Sequence, residues 1–547
     1  MTNAAYPWSA VTTAGERRNA RSVTSYTDAA CQRYSYGRLP GSFVPRPGRQ
    51  FDHDDFLHGA YLRARAPLKR APTTSADLAE RAFARATGAL SISGNDVRLL
   101  LDSRENYPAW LEAIKSARES IRFETYILAD DNAGRVFTEA LAERARAGVH
   151  VFALFDWLGS HAAKRLFGLL RAAGVEVRVF NPPSFVDPLG WITRNHRKTI
   201  TVDGRIGFVS GLCISDKWDG NAEKQMQPWR DTGIAITGPA VVDIAHAFDD
   251  VWRTCGNDDD PLPAITPIAD PAGRIAARIV EGVPNHTGTY RLDLVIASLA
   301  RRYLWLTDAY FVGTSAYVQA LAAAATDGVD VRLLVPGASD IPALRPLSRA
   351  SYRGLIEAGV RVYEWNGTML HAKSAVADDF WSRIGSTNLN LASWMGNYEL
   401  DVSIENAEFA ARMAAQYKED LKSATEIVLN RRLKVRNVGA APLDVRRAHS
   451  GSAGRAAAGA VSVGSVLGAA LTNRRRLAPA ESSVLLYTGL AVLAVSALII
   501  WRPSILGWPL AAIGVWLGGS WLYKAISLRR GNRPTAPSLT RRDDSTT

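Results

Sequence analysis

His196-Arg-Lys198-Thr-Ile-Thr-Val-Asp203 in the first half of the chain returns as His371-Ala-Lys373-Ser-Ala-Val-Ala-Asp378 in the second. Each phrase reads as a strand, and because strand side chains alternate between faces, its His and Lys point the same way. A single His beside a Lys on a strand is ordinarily a satisfied or exposed side chain. The recurrence reverses that reading, because the surroundings recur in register. Seven positions beyond each Asp come small residues, Ser210-Gly-Leu-Cys213 and Gly385-Ser-Thr-Asn388. Upstream, Ala147-Gly-Val-His-Val-Phe-Ala-Leu-Phe155 is answered by Asp327-Gly-Val-Asp-Val-Arg-Leu-Leu-Val335, and Leu169-Leu-Arg-Ala-Ala-Gly-Val-Glu-Val-Arg-Val-Phe-Asn181 by Leu355-Ile-Glu-Ala-Gly-Val-Arg-Val-Tyr-Glu-Trp-Asn366. Each of these reads as the end of a helix, a Gly stop and a buried strand.

Working outward, short Val/Ile/Leu runs alternate with Ala-rich helical stretches from about residue 90, the pattern of α/β units with largely buried strands. Strands are expected at 95–101, 121–128 and 149–155, with helices at 107–117 and 136–147. The economical architecture is α/β: two duplicated halves, 90–256 and 272–430, joined by a Pro/Asp-rich linker at 257–271, each a mixed sheet flanked by helices. Before them, 1–89 reads as a disordered or loosely structured basic arm, since its first fifty residues are rich in Arg, Ser, Gly and Pro and hold no apolar run. Asp52-His53-Asp54-Asp55 lacks a partner at ligand spacing and reads as a charged loop rather than a metal site. Cys31, Cys213 and Cys255 are odd in number and widely spaced, so neither a disulfide framework nor a zinc site is indicated.

Two imidazoles and two ammonium groups, one of each from either half, suit phosphodiester chemistry around a shared phosphate. One histidine attacks phosphorus and forms a phosphohistidine; the other protonates the departing alkoxide and later deprotonates the acceptor; Lys198 and Lys373 hold the non-bridging oxygens. No cofactor or metal is called for. Each imidazole needs a carboxylate to set its tautomer, and Asp231 in Trp229-Arg-Asp-Thr232 and Glu399 in Asn397-Tyr-Glu-Leu400 are the candidates, a strand-edge charge being the alternative for either. Asp203 and Asp378 complete the catalytic motifs, although their places at Asp203-Gly204 and Asp378-Asp379 read as turn and strand-end stabilisers.

These paired phrases, with Gly385-Ser-Thr-Asn388-Leu-Asn, Phe123-Glu-Thr-Tyr126 and Trp229-Arg-Asp-Thr232, resemble the phospholipase D superfamily, and most of all its bacterial cardiolipin synthase branch, over about 90–429. The resemblance implies two α/β halves with one active site between them, His196 as the nucleophile and His371 as the general acid/base. It also places Asn388 and Ser386 at the phosphate. Two departures stand out. Cys213 occupies a position where the family commonly has Asn, which removes a phosphate contact, and Thr307-Asp308-Ala309-Tyr310-Phe311 stands where a Pro usually precedes Tyr-Phe, which alters the expected substrate entrance.

The formal charge of +12 calls for an anionic partner, nucleic acid or an anionic membrane surface. The C-terminal sequence chooses between them. After a basic linker with a possible surface helix, 431–483, two apolar runs at 484–501 and 505–523 are each long enough as a helix to cross about 27 Å, and together read as a transmembrane hairpin. Arg474, Arg475 and Arg476 precede it, and Lys524, Arg529, Arg530 and Arg533 follow in the tail 524–547, against Arg502 alone at the turn. That bias places both ends and the catalytic core on the cytoplasmic side of the inner membrane. The expected activity is phosphatidyl transfer between anionic phospholipids, with a hydrolytic phospholipase D, a nucleic-acid phosphodiesterase and an inactive membrane scaffold as rivals. No nucleic-acid partner is expected, and the sequence is silent on oligomeric state.

Overall fold

The computed structural model describes residues 75–184, 192–256, 262, 271–341, 344–429 and 435–437, with Leu493, Gly507, Trp508, 514–516, Gly518 and Gly519. In the first half, β1 (Ile92–Leu101), β2 (Ser120–Thr125), β3 (His150–Asp156), β4 (Glu176–Phe180), β5 (Thr199–Val202), β6 (Ile206–Ser210) and β7 (Thr232–Thr237) lie in the order β1-β7-β6-β5-β2-β3-β4. In the second, β8 (Ile275–Gly282), β9 (Tyr303–Thr307), β10 (Asp330–Pro336), β11 (Arg361–Trp365), β12 (Ser374–Ala377), β13 (Trp381–Gly385) and β14 (Glu399–Glu405) lie in the order β8-β14-β13-β12-β9-β10-β11. The second order is the first repeated, with β15 (Ala424–Leu429) and β16 (Val435–Asn437) added at its outer edge. β2, β3 and β4 are parallel, as are β9, β10 and β11, and the remaining pairings are antiparallel, so each half is a mixed sheet. Antiparallel pairing of β1 with β8, irregular between Ile92 and Asn95, joins the halves.

The longer helices among the described residues are α1 (Ser75–Thr87), α2 (Asp102–Ser116), α3 (Asn132–Arg146), α4 (Lys164–Ala172), α5 (Val241–Thr254), α6 (Gly288–Leu299), α7 (Ser315–Thr326), α8 (Leu344–Glu357) and α9 (Ala407–Lys422). Local chemistry sets their ends alike in both halves. Asp131 caps α3 by accepting from Gly134 N, and Thr314 caps α7 by accepting from Tyr317 N. Gly148 and Gly328 follow these helices at φ 89° and 94°, a conformation that glycine adopts without the strain of a Cβ. The helix expected at 107–117 begins earlier, at Asp102, where Asp102 and Glu105 complement the positive end of the helix dipole.

Each half has its own core, around Trp110, Phe123 and Phe155 in the first and Leu306, Tyr317 and Leu333 in the second. A third core draws on both: Val97, Ile234 and Ile236 pack in one cluster with Ile384, Leu400, Val402 and Phe409. Burying such side chains contributes about 1.5–3 kcal/mol each, so the seam between the halves is as hydrophobic as either interior. That fixes the halves relative to one another, and with them any site between.

The strand expected at 121–128 ends at Thr125 and the helix expected at 136–147 begins at Asn132, and two domain boundaries also differ from those read in the sequence. Helix α1 lies inside the segment expected to be a loose basic arm; Phe83 is fully buried, and Glu80 pairs at 2.6 Å with the buried Arg278 of β8. The alternation of Ala79, Phe83 and Ala86 on one face gives it a core contact, which the surrounding arginines hid. Strand β16 extends the second half's sheet past 430. The arm before residue 75, most of the 257–271 linker and the tail at 524–547 lie outside the described residues. So does the expected hairpin at 484–523, apart from the C-terminal residues named above; among the described residues no helix is long and apolar enough to cross a membrane.

The motif aspartates serve the sheets. Asp203 and Asp378 stand at φ 52° and 54° in the tight turns after β5 and β12. The Asp203 carboxylate accepts from the N–H groups of Arg118, Glu119 and Ser120 at 2.8–2.9 Å, and Asp378 from those of Arg301, Arg302 and Tyr303 at 2.8–2.9 Å. Each thereby ties a turn to the start of the neighbouring antiparallel strand, β2 or β9. Asp378→Ala should destabilise the protein by about 2–4 kcal/mol, since bonds to a charged acceptor are worth roughly 1.5–3 kcal/mol and are not additive. Hydrogen exchange checks this locally: the 301–303 amides should exchange faster, while amides of β3 should change only with global stability.

Candidate active site

Regular pairing of the two motif strands begins at Thr199 and Ser374, one residue after each lysine. The main chain of each histidine instead bonds to the opposite half. His196 N–H donates to Tyr398 O at 2.8 Å and Tyr398 N–H to Arg194 O at 2.8 Å; in mirror fashion, His371 N–H donates to Arg230 O at 2.7 Å and Arg230 N–H to Met369 O at 2.8 Å. Each histidine is thus stitched beside the residue that precedes the other half's acid.

The carboxylates therefore cross. His196 Nδ1 lies 2.9 Å from Oε2 and 3.0 Å from Oε1 of Glu399, and His371 Nδ1 lies 2.7 Å from Oδ2 of Asp231. A carboxylate at Nδ1 keeps the proton on that nitrogen and leaves Nε2 with its lone pair. Both acids are fully buried. Burial works against their charge, but the paired imidazole, the nearby lysine and further hydrogen bonds outweigh it and hold both carboxyls below their ordinary range. Trp218 Nε1 donates to Asp231 Oδ2 at 2.9 Å, and Thr232 N to Oδ1 at 2.8 Å. Gly211 makes room for this acid, since a Cβ there would stand 2.2 Å from Asp231 Oδ1.

Lys198 and Lys373 are buried, and each ammonium donates to the main-chain carbonyl of its own motif histidine. Lys373 Nζ also lies 2.9 Å from Nδ1 and 3.2 Å from Nε2 of His371. Burial lowers both histidines, and each is lowered further by the lysines of both halves, Lys198 and Lys373 weighing on His196 and on His371 alike. The crossed hydrogen bonds bring the two motifs to the same seam between the halves. His371 is brought to about 4. Aromatic rings flank the imidazoles: Tyr126 is 5.1 Å from His196, and Trp218, Trp229 and Tyr310 are 5.1, 5.6 and 5.8 Å from His371.

Not every expected residue joins this cluster. Asp203 and Asp378 lie at the ends of β5 and β12 away from the imidazoles, bonded to backbone. Ser386, expected at the phosphate, spends its one proton on Glu399 Oε2 at 2.6 Å and accepts from Leu400 N, so it supports the acid instead. Asn388 is buried; its Oδ1 has no partner among the described residues and its Nδ2 is 3.5 Å from Ser393 Oγ, leaving its amide largely unspent. Cys213 is fully buried, and burial pushes its thiol up, as suits a small apolar filler. Arg197, the middle residue of the first motif, carried no expectation. It is fully buried and donates to the carbonyls of Glu399 at 3.0 Å and Ala247 at 2.6 Å, binding the first motif to the strand that carries its partner's acid. A fully buried arginine is rare enough to need partners, but nothing local in the sequence names them.

Because the folded His371 titrates below the 6.5 of an exposed ring, the folded state binds fewer protons than the unfolded chain, and this group costs stability as the pH falls from about 6.5 to about 4. An NMR titration of the ring should find a midpoint near 4, and Lys373→Met should move it upward by removing a like charge.

A family model described as cardiolipin synthase, PLD-like domain, matches residues 110–227 and 295–421. The chain is 31% identical over 391 residues to cardiolipin synthase A of Pseudomonas putida (strain GB-1), covering 69% of this chain and 80% of that one. It is 32% identical over 361 residues to cardiolipin synthase A of Pseudomonas aeruginosa (strain LESB58), covering 65% and 73%. Among solved structures, phosphatidylserine synthase of Haemophilus influenzae Rd KW20 aligns with 63% of this chain and 92% of its own at 15% identity and a TM-score of 0.49. With the matched segments falling one on each half and most of the length of full relatives spanned, the chain belongs to the cardiolipin synthase family of the phospholipase D superfamily and is an enzyme of the phospholipase D type.

Proposed function

We propose that the chain is a membrane-anchored phosphatidyltransferase resembling cardiolipin synthase, which passes a phosphatidyl group between phospholipids through a phosphohistidine. The crossed imidazole–carboxylate pairs carry this reading: with Nδ1 of each ring held by an acid of the opposite half, Nε2 is left as the reactive atom of each. His196 Nε2 attacks phosphorus, as in the family this chain resembles, while His371 gives its proton to the leaving glycerol oxygen. The hydroxyl of a second lipid then yields its proton to His371 and displaces the imidazole. Lys198, Lys373 and Asn388 hold the non-bridging oxygens, Glu399 and Asp231 fix the tautomers, and Asp203, Asp378 and Ser386 position these groups.

A general acid must start protonated, yet burial and Lys373 hold His371 at about 4. The substrate resolves this. A phosphodiester anion placed between the rings favours the imidazolium, so arrival of the lipid charges the acid at the moment it is needed. The two apolar C-terminal runs and the +12 charge support a substrate presented from an anionic bilayer, with the core on the cytoplasmic face of the inner membrane.

Full-length protein in vesicles of labelled phosphatidylglycerol should yield cardiolipin and glycerol, whereas phosphatidic acid as the main product would make it a hydrolase. His196→Ala should abolish any labelled covalent adduct, and an adduct that survives the substitution would reject the nucleophile assignment. Asp231→Asn and Glu399→Gln should each lower kcat by about a hundred- to ten-thousand-fold, the range seen when an orienting carboxylate is lost.

A further inference from the structure

Each orienting acid follows a residue whose carbonyl accepts from the opposite motif histidine, Tyr398 before Glu399 and Arg230 before Asp231. These two residues are anchored by different means. Tyr398 is buried with its ring 5.3 Å from that of Phe180 and 5.7 Å beneath the Arg197 guanidinium, so aromatic packing seats it. Arg230 is buried as well, but it brings a charge into the seam. A buried guanidinium holds its place only where fixed partners meet it.

Asp420 of α9, in the second half, is the first of these partners. Arg230 Nε donates to Asp420 Oδ1 and Nη2 to Oδ2, both at 2.9 Å, the two-pronged arrangement in which a guanidinium best matches a carboxylate. Asp420 is buried too, and Gln416 Nε2, one turn earlier on α9, donates to its Oδ1 at 2.8 Å. The remaining nitrogen, Nη1, serves the first half. It donates to Thr232 Oγ1 at 3.0 Å, to Asp102 Oδ1 at 3.2 Å and to the carbonyl of Asp231. Asp102, at the start of α2, closes the ring: its Oδ1 accepts from Asp231 N at 2.9 Å, and its own N–H donates to Asp231 O at 3.1 Å. The main chain of Asp231 is thus gripped at both its N–H and its carbonyl, and the guanidinium that helps to grip it is fastened to α9 of the other half. The Asp231 carboxylate then meets His371 Nδ1 at 2.7 Å.

We infer that Arg230 and Asp420 are positioning residues for the general acid/base, a clamp across the seam that sets where Asp231 holds the His371 imidazole. The inference rests on the proposed phosphodiester chemistry but not on the lipid. Loss of the fork frees the peptide that carries Asp231, and a misplacement of about 1 Å at a reacting group can cost roughly a hundredfold in rate. The loss falls on proton transfer by His371, because Glu399 and His196 are held through Tyr398 and make no bond to Arg230 or Asp420.

The test measures kcat/KM of the full chain on bis(4-nitrophenyl) phosphate and on diphenyl phosphate, which reads the steps through loss of the first leaving group. With either diester the bond from His196 Nε2 to phosphorus forms as a P–O bond breaks. Phenoxide, the more basic leaving group, takes its proton from His371, whereas 4-nitrophenoxide departs as the anion. Asp420→Asn keeps the shape but gives up the charge and one prong, and it should raise the ratio of the nitrophenyl to the phenyl value by about tenfold or more. Arg230→Lys, which keeps the charge and loses the fork, should raise it likewise, and decides the matter should Asp420→Asn fold poorly. Added to Asp231→Asn, either substitution should raise the ratio no further, since both act through that acid. A ratio that stays at the unsubstituted value in both single variants, even if both rates fall together, would overturn the inference and leave phosphoryl transfer standing. Failure of the unsubstituted chain to cleave either diester would instead remove the chemistry on which it rests.

Discussion

Everything at this site depends on two imidazoles each held by a carboxylate from the opposite half. A buried acid beside a buried base is costly to desolvate, and the attraction repays that cost only when the remaining lone pairs are bonded. Here they are. Asp231 accepts from Trp218 and Thr232, and Glu399 from Ser386, so neither carboxylate is left to its imidazole alone. Because each pair spans the seam, neither half can complete its own histidine, and the third core that joins the halves becomes a condition for chemistry as much as for stability.

Duplication supplied the symmetry, and departures from it supply direction. Ten residues beyond each motif lysine stand Phe208 and Arg383. Phe208 packs on Trp110 with ring centroids 6.4 Å apart, whereas Arg383 is fully buried between Asp293 and Asp401. The second half has thus exchanged part of an apolar core for an ionic one. Such an exchange contributes little net stability. Its effect is electrostatic, and it falls on the half that carries the proposed acid and base.

The repeated α/β unit was legible in the sequence because its signals are local: alternation of apolar residues, a cap, a glycine stop, an Asp-Gly turn. The two His-Lys pairs and both orienting acids were legible for the same reason, as polar residues standing where a buried strand should be apolar. Which acid serves which histidine was not, since that pairing is made by backbone bonds such as His196 to Tyr398 between segments about two hundred residues apart. Ser386 looked like a phosphate ligand because a free hydroxyl and one already donating are identical in sequence. Helix α1 was lost among arginines, because the charges between Ala79, Phe83 and Ala86 dilute its apolar stripe.

The central claim is that Glu399 sets the tautomer of His196 and Asp231 that of His371. Two-bond proton–nitrogen NMR on histidine-labelled protein reads this directly. The account predicts that both rings carry the proton on Nδ1, that Glu399→Gln disturbs the His196 tautomer alone, and that Asp231→Asn disturbs His371 alone. Protonation at Nε2 in the unsubstituted protein, or responses that follow each acid within its own half, would contradict it.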